Sequence, residues 1–417
     1  MSQNTVTPKQ YHPRPLEQIL DFCVEFSRRM IVSGASVERV SIAIERICGT
    51  YELTDLSIFL LNTYVCVSAK DKYGFCAARR TQIPPSVINL RQLMSLNRLS
   101  YSVKENHPSP DRLWGLLEKA SDVPDYPDLI VLLGQVGAMS CLCLIFGGWI
   151  PEVICVAIVT SLAHYLLILL GIPNLDKILT NAILMWISTS AVFLLSRIGL
   201  TNNKPVVIIT ALMLVIPGIP LVNAARSLLS GNEMSGILAT LRVTVETMAL
   251  ATGIFFSLVM FGTADMLNNP MAGTITNPVL MVVLSFFTSF CLGVVFRMRA
   301  RDLWLAGLGG ALTRIVMISL SPVCTRVVFV TVSALTASAY AEILATFQKK
   351  PSTYYAYPSI IPLIPGDLFF LTLLGFNQNN FSLMRENAFN CVLTLASMSI
   401  GFALCFAVAH YIRKARL

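Results

Sequence analysis

Ten apolar segments follow residue 124 of this chain, and each is long enough to cross a lipid bilayer. A helix rises about 1.5 Å per residue, so roughly 20 apolar residues span a hydrocarbon core about 30 Å thick. Lipid offers backbone polar groups no partner, which favours helices. The sequence therefore predicts an all-α polytopic membrane protein with about ten transmembrane helices. The segments lie near 128–149, 151–171, 177–196, 205–222, 236–262, 274–296, 303–321, 324–347, 357–376 and 386–411.

Residues 1–124 differ from the rest because their charge density is ordinary, and their pattern predicts a small cytoplasmic α/β domain. Two amphipathic helices precede a β-hairpin formed by "LSIFLLNTYVCVSA" and "GFCAARRTQ", and two more helices follow. The polar start "MSQNTVTPKQYHPRP" has no apolar core, so we expect no secretory signal peptide. Across the chain, 55% of residues are hydrophobic and 13% are charged, which is typical of a membrane protein rather than a large soluble enzyme.

The basic residues between the apolar segments predict the orientation. If residues 1–124 are cytoplasmic, the loops and tail on that side hold Lys177, Arg226, Arg242, Arg297, Arg299, Arg301, Lys349, Lys350, Arg413, Lys414 and Arg416. The opposite side holds only Arg197, Lys204, Arg326 and Arg385. This excess follows the positive-inside rule and predicts cytoplasmic termini in the cell inner (plasma) membrane. Topology in the lipid bilayer therefore explains the net charge of +8 better than binding of nucleic acid or anionic lipid.

Two similar motifs interrupt the fourth and ninth apolar segments. They are "VIPG" at Val215–Gly218 and "LIPG" at Leu363–Gly366. Matching Gly/Pro interruptions in two sets of five crossings, which face opposite ways, indicate an inverted-repeat transporter. We therefore predict two inverted five-helix repeats at 125–263 and 264–417. The alternative is a pair of unrelated proline kinks that neighbouring helices tolerate.

The first interruption predicts part of a substrate site. A broken helix presents unpaired N–H groups at the start of its second half, and these favour a carboxylate. Pro217 and Gly218 form the break, and Asn223 and Arg226 follow on one helical face. An amide and a guanidinium there would suit an anionic or zwitterionic solute, although Arg226 is equally explained as a cytoplasmic anchor.

The second interruption adds an acidic group to the predicted site. Pro365 and Gly366 form this break, and Gly366 lies about ten residues into its segment, hence roughly 15 Å deep and near the midplane. Asp367 follows directly. It is interpreted as a cap of the half-helix that begins there, or as a group that takes up and releases a proton or pairs with an arginine during transport. The two interpretations are compatible, since a cap that becomes protonated would also be a switch.

Two further ionisable residues within apolar segments are candidates for a relay. Arg314 lies among small residues that allow close helix packing, and His164 lies in "SLAHYLL". The alternative for His164 is a packed, hydrogen-bonded histidine. Motifs for hydrolases, metalloproteases, P-loops and dinucleotide binding are absent, and the 11 cysteines are scattered. We therefore expect no catalytic residues, no cofactor and no metal site, and a gradient rather than ATP as the energy source.

The chain resembles the threonine/serine exporter family over nearly its whole length. The resemblance rests on four stretches: "SGASVERVSIAIERIC" (33–48), "RRTQIPPSVINLRQLMSLNRLSYSV" (79–103), "MLVIPGIPLVNAARSLLSGN" (213–232) and "PSIIPLIPG" (358–366). It implies secondary export of small hydrophilic metabolites, of which threonine and serine are the best known. In some bacteria two separate proteins resemble residues 1–263 and 264–417, and that pair is implicated in succinate export. Members often carry an acidic residue where this chain has Arg226.

These observations predict a carrier that exports threonine or serine by alternating access around the paired Pro-Gly breaks. A C4-dicarboxylate exporter is the alternative within transport, and the departure at Arg226 favours it. A membrane-embedded enzyme is a rival from another class, and it requires Asp367 and His164 within hydrogen-bond reach. A membrane scaffold is a third, and it predicts that Asp367→Asn leaves solute fluxes unchanged. The sequence leaves open whether copies form a homo-oligomer.

Overall fold

The computed structural model describes residues 15–84, 87–170, 177–213, 231–262 and 277–414, with Val215, Pro220, Asn223, Ala224, Ser227 and Leu228. Its contacts divide the chain into two compact units, Met1–Val123 and Pro124–Leu417. The predicted boundary between the two membrane halves, at residues 263 and 264, lies outside the described residues.

Four helices and a small sheet make up the described part of the N-terminal unit. They are α1 (Pro15–Val32), α2 (Val37–Thr50), α3 (Leu90–Asn106) and α4 (Pro110–Ser121). Apolar residues recur at helical spacing along α1, and Leu20, Phe22 and Phe26 are fully buried. This face of α1 packs on the sheet.

The sheet has three antiparallel strands in the order β1 (Thr54–Leu60), β2 (Tyr64–Lys70) and β3 (Cys76–Gln82). The prediction of a two-stranded hairpin was therefore wrong, because its first run contains both β1 and β2. The chain turns between them, and the Leu61 N–H donates to the Tyr64 carbonyl at 2.8 Å. Alternate residues of β2 are buried, as expected for a strand with one face on the core.

Eleven helices form the described part of the membrane unit. They are α5 (Asp128–Ile145), α6 (Ile150–Leu170), α7 (Lys177–Arg197), α8 (Lys204–Met213), α9 (Glu233–Phe261), α10 (Pro278–Val295), α11 (Leu303–Leu320), α12 (Arg326–Gln348), α13 (Thr353–Ile360), α14 (Gly366–Asn377) and α15 (Phe381–Lys414). Eight of these are long and apolar enough to cross a membrane. The chain is therefore a multi-pass helical membrane protein.

The two interrupted segments account for the difference between eight helices and the ten predicted. Helices α13 and α14 pass the same test together and are bent by 47°, which makes them a ninth candidate span. The described part of the predicted fourth crossing holds only the short helix α8 and a few single residues. Proline removes an N–H donor and opens a helix, and α13 and α14 are accordingly separate helices. The described residues do not confirm the count of ten.

Two helix ends in the first set of five recur 150 residues later in the second set. Gly147 ends α5 and Arg297 ends α10, with φ of 88° and 59°. Gly199 ends α7 and Lys349 ends α12, with φ of 78° and 52°. In all four, the next residue donates its N–H to the carbonyl five positions earlier, at 2.9–3.1 Å. This left-handed cap satisfies a carbonyl that the helix end leaves free. The two sets thus share these connections.

The first helices of the two sets, α5 and α10, pack closely together. A Cβ built on Gly134 would lie 3.2 Å from the Cβ of Val294. A Cβ built on Gly137 would lie 3.0 Å from the Sγ of Cys291. Moving forward along α5 therefore means moving backward along α10. The two helices run antiparallel, and their small residues allow the close approach.

Candidate functional site

The predicted second interruption is present. Helix α13 ends at Ile360, a 3-10 turn follows at Ile361–Leu363, and α14 begins at Gly366. Ile364 is extended, and Pro365, which has no N–H, occupies the position before α14. The break therefore leaves backbone carbonyls without helical partners inside the membrane unit.

Arg314 satisfies one of these carbonyls. Its Nη2 donates to the carbonyl of Pro362 at 3.1 Å, and its Nε donates to Ser285 Oγ at 2.9 Å. Only 8% of Arg314 is exposed. An intramembrane charge is costly unless polar groups surround it, and the opened backbone supplies such a group. Arg314 thus supports the second break, a role that the sequence analysis did not assign to it.

The residue that follows the first interruption contacts the segment leading to the second. Asn223 donates from Nδ2 to the hydroxyl of Tyr357 at 2.8 Å, and Tyr357 lies in the buried helix α13. Pro217, Gly218 and Arg226, the other predicted residues of the first interruption, lie outside the described residues.

A second contact joins the same two regions of the chain. Helix α8, which precedes the first interruption, packs on α14, which follows the second. Asn223 and α13 make the complementary contact described above. Residues that flank the two predicted breaks, 148 positions apart in sequence, therefore lie side by side in the membrane unit.

Asp367 lies in the first turn of α14 and is half-buried. It is not the capping residue, because Pro365 occupies the N-cap position and no side chain caps this helix. Asp367 makes no hydrogen bond or ion pair within the described part of the chain. A carboxylate at a helix start is stabilised by the helix dipole.

His164 is buried, with 8% exposed, and hydrogen-bonds through Nδ1 to Oε1 of Gln135 on α5 at 2.8 Å. This contact fits the prediction of a packed histidine. The hydrogen-bonded pair of His164 and Asp367 that a membrane-embedded enzyme requires is not formed between these described residues.

A buried polar cluster at the start of α13 was missed by the sequence analysis. Lys350 Nζ donates to Asp302 Oδ2 at 2.7 Å and to Gln348 Oε1 at 2.6 Å. Tyr354 donates to the same Asp302 oxygen at 2.8 Å, and Tyr355 donates to Gln348 Oε1 at 2.7 Å. Burial lowers the pKa of Lys350, and its hydrogen bond to Asp302 opposes that shift. The cluster ties the ends of α11 and α12 to the first turn of α13.

A carboxylate 150 residues before Asp302 has a related position. Glu152 lies at the start of α6, where it accepts from the Trp149 N–H at 3.0 Å and from Thr201 Oγ1 at 2.9 Å. Thr201 precedes α8, as Lys350 precedes α13. A buried carboxylate therefore ties α6 to the chain that enters α8, and another ties α11 to the chain that enters α13. In the sequence, only the 150-residue spacing indicates that Glu152 and Asp302 are equivalent, because the two residues differ in type.

Comparison with protein families matches almost the whole chain. A family model for threonine/serine exporters matches residues 21–261, and a second threonine/serine exporter model matches residues 281–408. No solved structure matches the chain.

Two curated proteins are similar to this chain. A "Probable threonine/serine exporter" of Mycobacterium tuberculosis is 22% identical over 388 residues, which cover 87% of this chain and 71% of that protein. A "Probable succinate transporter subunit YjjP" of Escherichia coli is 27% identical over 139 residues, which cover 33% of this chain and 54% of that protein.

Proposed function

Since this chain belongs to the threonine/serine exporter family, we propose that it is a secondary active transporter that exports threonine or serine. Family membership gives a membrane exporter that acts on a small solute within the bilayer. The substrate, the cytoplasmic position of both termini and the alternating-access mechanism are part of this proposal. The positive-inside pattern supports the orientation.

The contact between Asn223 and Tyr357 carries the mechanism we propose. It links the residues after the first interruption to the helix before the second, at 2.8 Å. A transporter of this type binds its solute where two interrupted helices face each other. Movement of one interrupted segment against the other would then open the site to alternate sides.

Two observations support an inverted arrangement of the two sets. The helix ends at Gly147 and Gly199 recur at Arg297 and Lys349, 150 residues later. The first helices of the two sets, α5 and α10, run antiparallel where they pack. Equivalent helices in an inverted repeat must run in opposite directions.

Polar groups at the two interruptions suit a zwitterionic amino acid. In the proposed site, Asn223 and the N–H groups near Gly218 bind the solute carboxylate. Asp367, which makes no hydrogen bond or ion pair among the described residues and lies near Cys391, serves as the proton-coupling group. The remaining contacts of the proposed site are Pro217, Arg226, Pro365 and Gly366.

Counterflow into proteoliposomes tests this function. The purified chain would be offered labelled threonine, serine and succinate separately, as wild type and as Asp367→Asn. We expect uptake of threonine or serine that falls at least tenfold in the variant. Wild-type vesicles that move none of the three solutes would contradict the proposed substrates. Equal uptake by the variant and the wild type, above background, would remove Asp367 from the coupling role. Uptake at background by both would favour a role for the chain as a scaffold.

A C4-dicarboxylate such as succinate is the second candidate. The similarity to the succinate transporter subunit of Escherichia coli, over 54% of that protein, favours it. A doubly charged solute also suits a cation at the site, which Arg226 would supply. The same counterflow assay separates the two, because a dicarboxylate exporter would take up succinate and exclude threonine and serine.

A further inference from the structure

His164 and Arg314 hold equivalent places in the two sets of helices. They are 150 residues apart, in the second helix of each set, and each is 8% exposed. Their partners on the first helix of each set are also 150 residues apart. His164 hydrogen-bonds to Gln135 at 2.8 Å, and Arg314 donates to Ser285 at 2.9 Å.

The two residues differ in what they do beyond this shared contact. Arg314 reaches the second interruption and donates to the carbonyl of Pro362. His164 makes only its bond to Gln135 and an edge contact with Tyr165 among the described residues, so its Nε2 has no hydrogen-bond partner there. The Nε2 atom is therefore available to an acceptor in another arrangement of the helices, as the Arg314 guanidinium has an acceptor in this one.

The spacing identifies that partner. Leu212 lies 150 residues before Pro362, in the last turn of α8. Helix α6, which carries His164, packs on α8, just as α11 packs on α13. The Leu212 carbonyl accepts from the Val215 N–H at 3.0 Å, and a carbonyl oxygen has a second lone pair for another donor. The end of α8 therefore offers the acceptors that the end of α13 offers to Arg314.

We propose that His164 is a positioning residue that exchanges roles with Arg314 during transport. In the state that opens to the opposite side, His164 Nε2 donates to the carbonyls that end α8, at Leu212 and Met213, and Arg314 releases Pro362. The amide of Gln135 presents either its oxygen or its nitrogen, so the imidazole can carry hydrogen on Nε2 without becoming charged. This inference rests on the proposed alternating access.

Labelling of a cysteine at the second interruption tests the exchange. Ile364→Cys would be placed in the full chain, and a membrane-impermeant maleimide would be applied from either face of the membrane. The labelling rate of the native cysteines is subtracted from that of the Ile364→Cys variant for each face of the membrane. The measured quantity is the ratio of the two rates that remain. This readout needs no solute, so it stays informative if counterflow fails for all three candidates.

Four substitutions decide the outcome. His164→Asn retains a group that bonds Gln135 but has nothing at the Nε2 position, whereas His164→Gln retains a donor there. Arg314→Met removes the donor to Pro362, whereas Arg314→Lys retains one. We expect His164→Asn and Arg314→Met to shift the labelling ratio in opposite directions by roughly tenfold, as the loss of one buried hydrogen bond implies. His164→Gln and Arg314→Lys should restore most of the ratio.

A purely structural role for His164 predicts otherwise. Shifts in the same direction for His164→Asn and Arg314→Met, or an unchanged ratio in His164→Asn, would overturn the proposal. If Arg314→Met does not fold, the comparison of His164→Asn with His164→Gln still decides, because only a positioning role restores the ratio in the second variant.

Discussion

Asn223 and Tyr357 are 134 residues apart in sequence and are joined by a hydrogen bond of 2.8 Å. Each belongs to the surroundings of a different Pro-Gly motif. In the proposed mechanism these two segments move relative to each other, so their hydrogen bond would affect both the stability of this state and the rate at which it is left. Removal of this hydrogen bond therefore tests both stability and transport rate, whereas removal of a bond within one helix pair tests stability alone.

We expect Tyr357→Phe and Asn223→Ala to weaken this link to a similar degree. Tyr357→Phe removes this hydrogen bond from the half-buried Asn223 amide, and Asn223→Ala removes it from the buried Tyr357 hydroxyl; the loss of the bond costs about 1–3 kcal/mol in each case. The double variant should cost little more than either single variant, because the two side chains share one interaction. Thermal unfolding in detergent measures the stability, and counterflow measures the rate of exchange.

Tyr340→Phe is the matched control for this prediction. The Tyr340 hydroxyl donates to the Leu305 carbonyl at 2.7 Å, which joins α12 to α11 and neither interrupted segment. We expect a similar loss of stability with an unchanged counterflow rate. Fully additive effects of Tyr357→Phe and Asn223→Ala would show that their hydrogen bond is not what either change removes.

The buried pair of Lys350 and Asp302 gives a second prediction. Lys350→Met leaves the Asp302 carboxylate buried without its cation, and removal of one partner from such a pair costs about 3–5 kcal/mol. Lys350→Met combined with Asp302→Leu should recover most of that loss. Arg301→Gln is the control, because Arg301 is exposed and 4.0 Å from Asp302. Equal melting temperatures for Lys350→Met and Arg301→Gln would contradict the prediction.

Close packing between α7 and α9 gives a third prediction. A Cβ on Gly253 would overlap the backbone carbonyl of Ala182 and lie 2.8 Å from the Trp186 nitrogen. Backbone atoms cannot rotate away, so Gly253→Ala should separate the two helices and lower the melting temperature. Gly115→Ala in α4, where nothing lies within 4 Å, should be stabilising by about 1 kcal/mol through helix propensity. A neutral Gly253→Ala would show that α7 and α9 are not packed this closely.

The N-terminal unit should respond to acid through Glu25. Burial raises the pKa of Glu25, but hydrogen bonds from Arg28 and Arg29 at 2.6 and 2.7 Å outweigh burial and lower it. A lowered carboxyl pKa in the folded state contributes stability that is present above the unfolded pKa of about 4.3 and is lost as the pH falls through the folded pKa.

Thermal unfolding of the full chain between pH 3 and pH 7 measures this effect. Glu25→Gln should lower the melting temperature of the N-terminal transition at pH 7 and have a smaller effect at pH 3. A difference from wild type that does not change across this range would exclude the ion pairs as its cause.

The membrane fold was predictable where hydrophobic length decides the structure. Apolar segments of 18 or more residues gave most of the long helices, and the Pro-Gly motif correctly located the break before Gly366. The turn at Leu61–Thr63 was missed because its flanking residues are apolar and β-branched, and neither Gly nor Pro marks it.

The contacts at the site were less predictable because they depend on which helices are neighbours. Nothing local to Arg314 indicates that it faces the Pro362 carbonyl, 48 positions later. Nothing in the sequence around Tyr357 indicates its contact with Asn223. The 150-residue spacing that pairs Glu152 with Asp302 was present in the sequence, but different side chains at the two positions conceal it.

The recurrence of connections 150 residues apart also bears on how the chain evolved. A transporter assembled from two identical subunits in opposite orientations must carry the same residue at both equivalent positions, so its inward and outward states have equal free energy. In the inverted arrangement proposed here the two positions belong to one chain and can differ, and this chain has histidine at 164 and arginine at 314. Unequal side chains at twin positions allow one resting state to be favoured over the other. Such a bias would let a carrier release solute readily on one side while resisting its return.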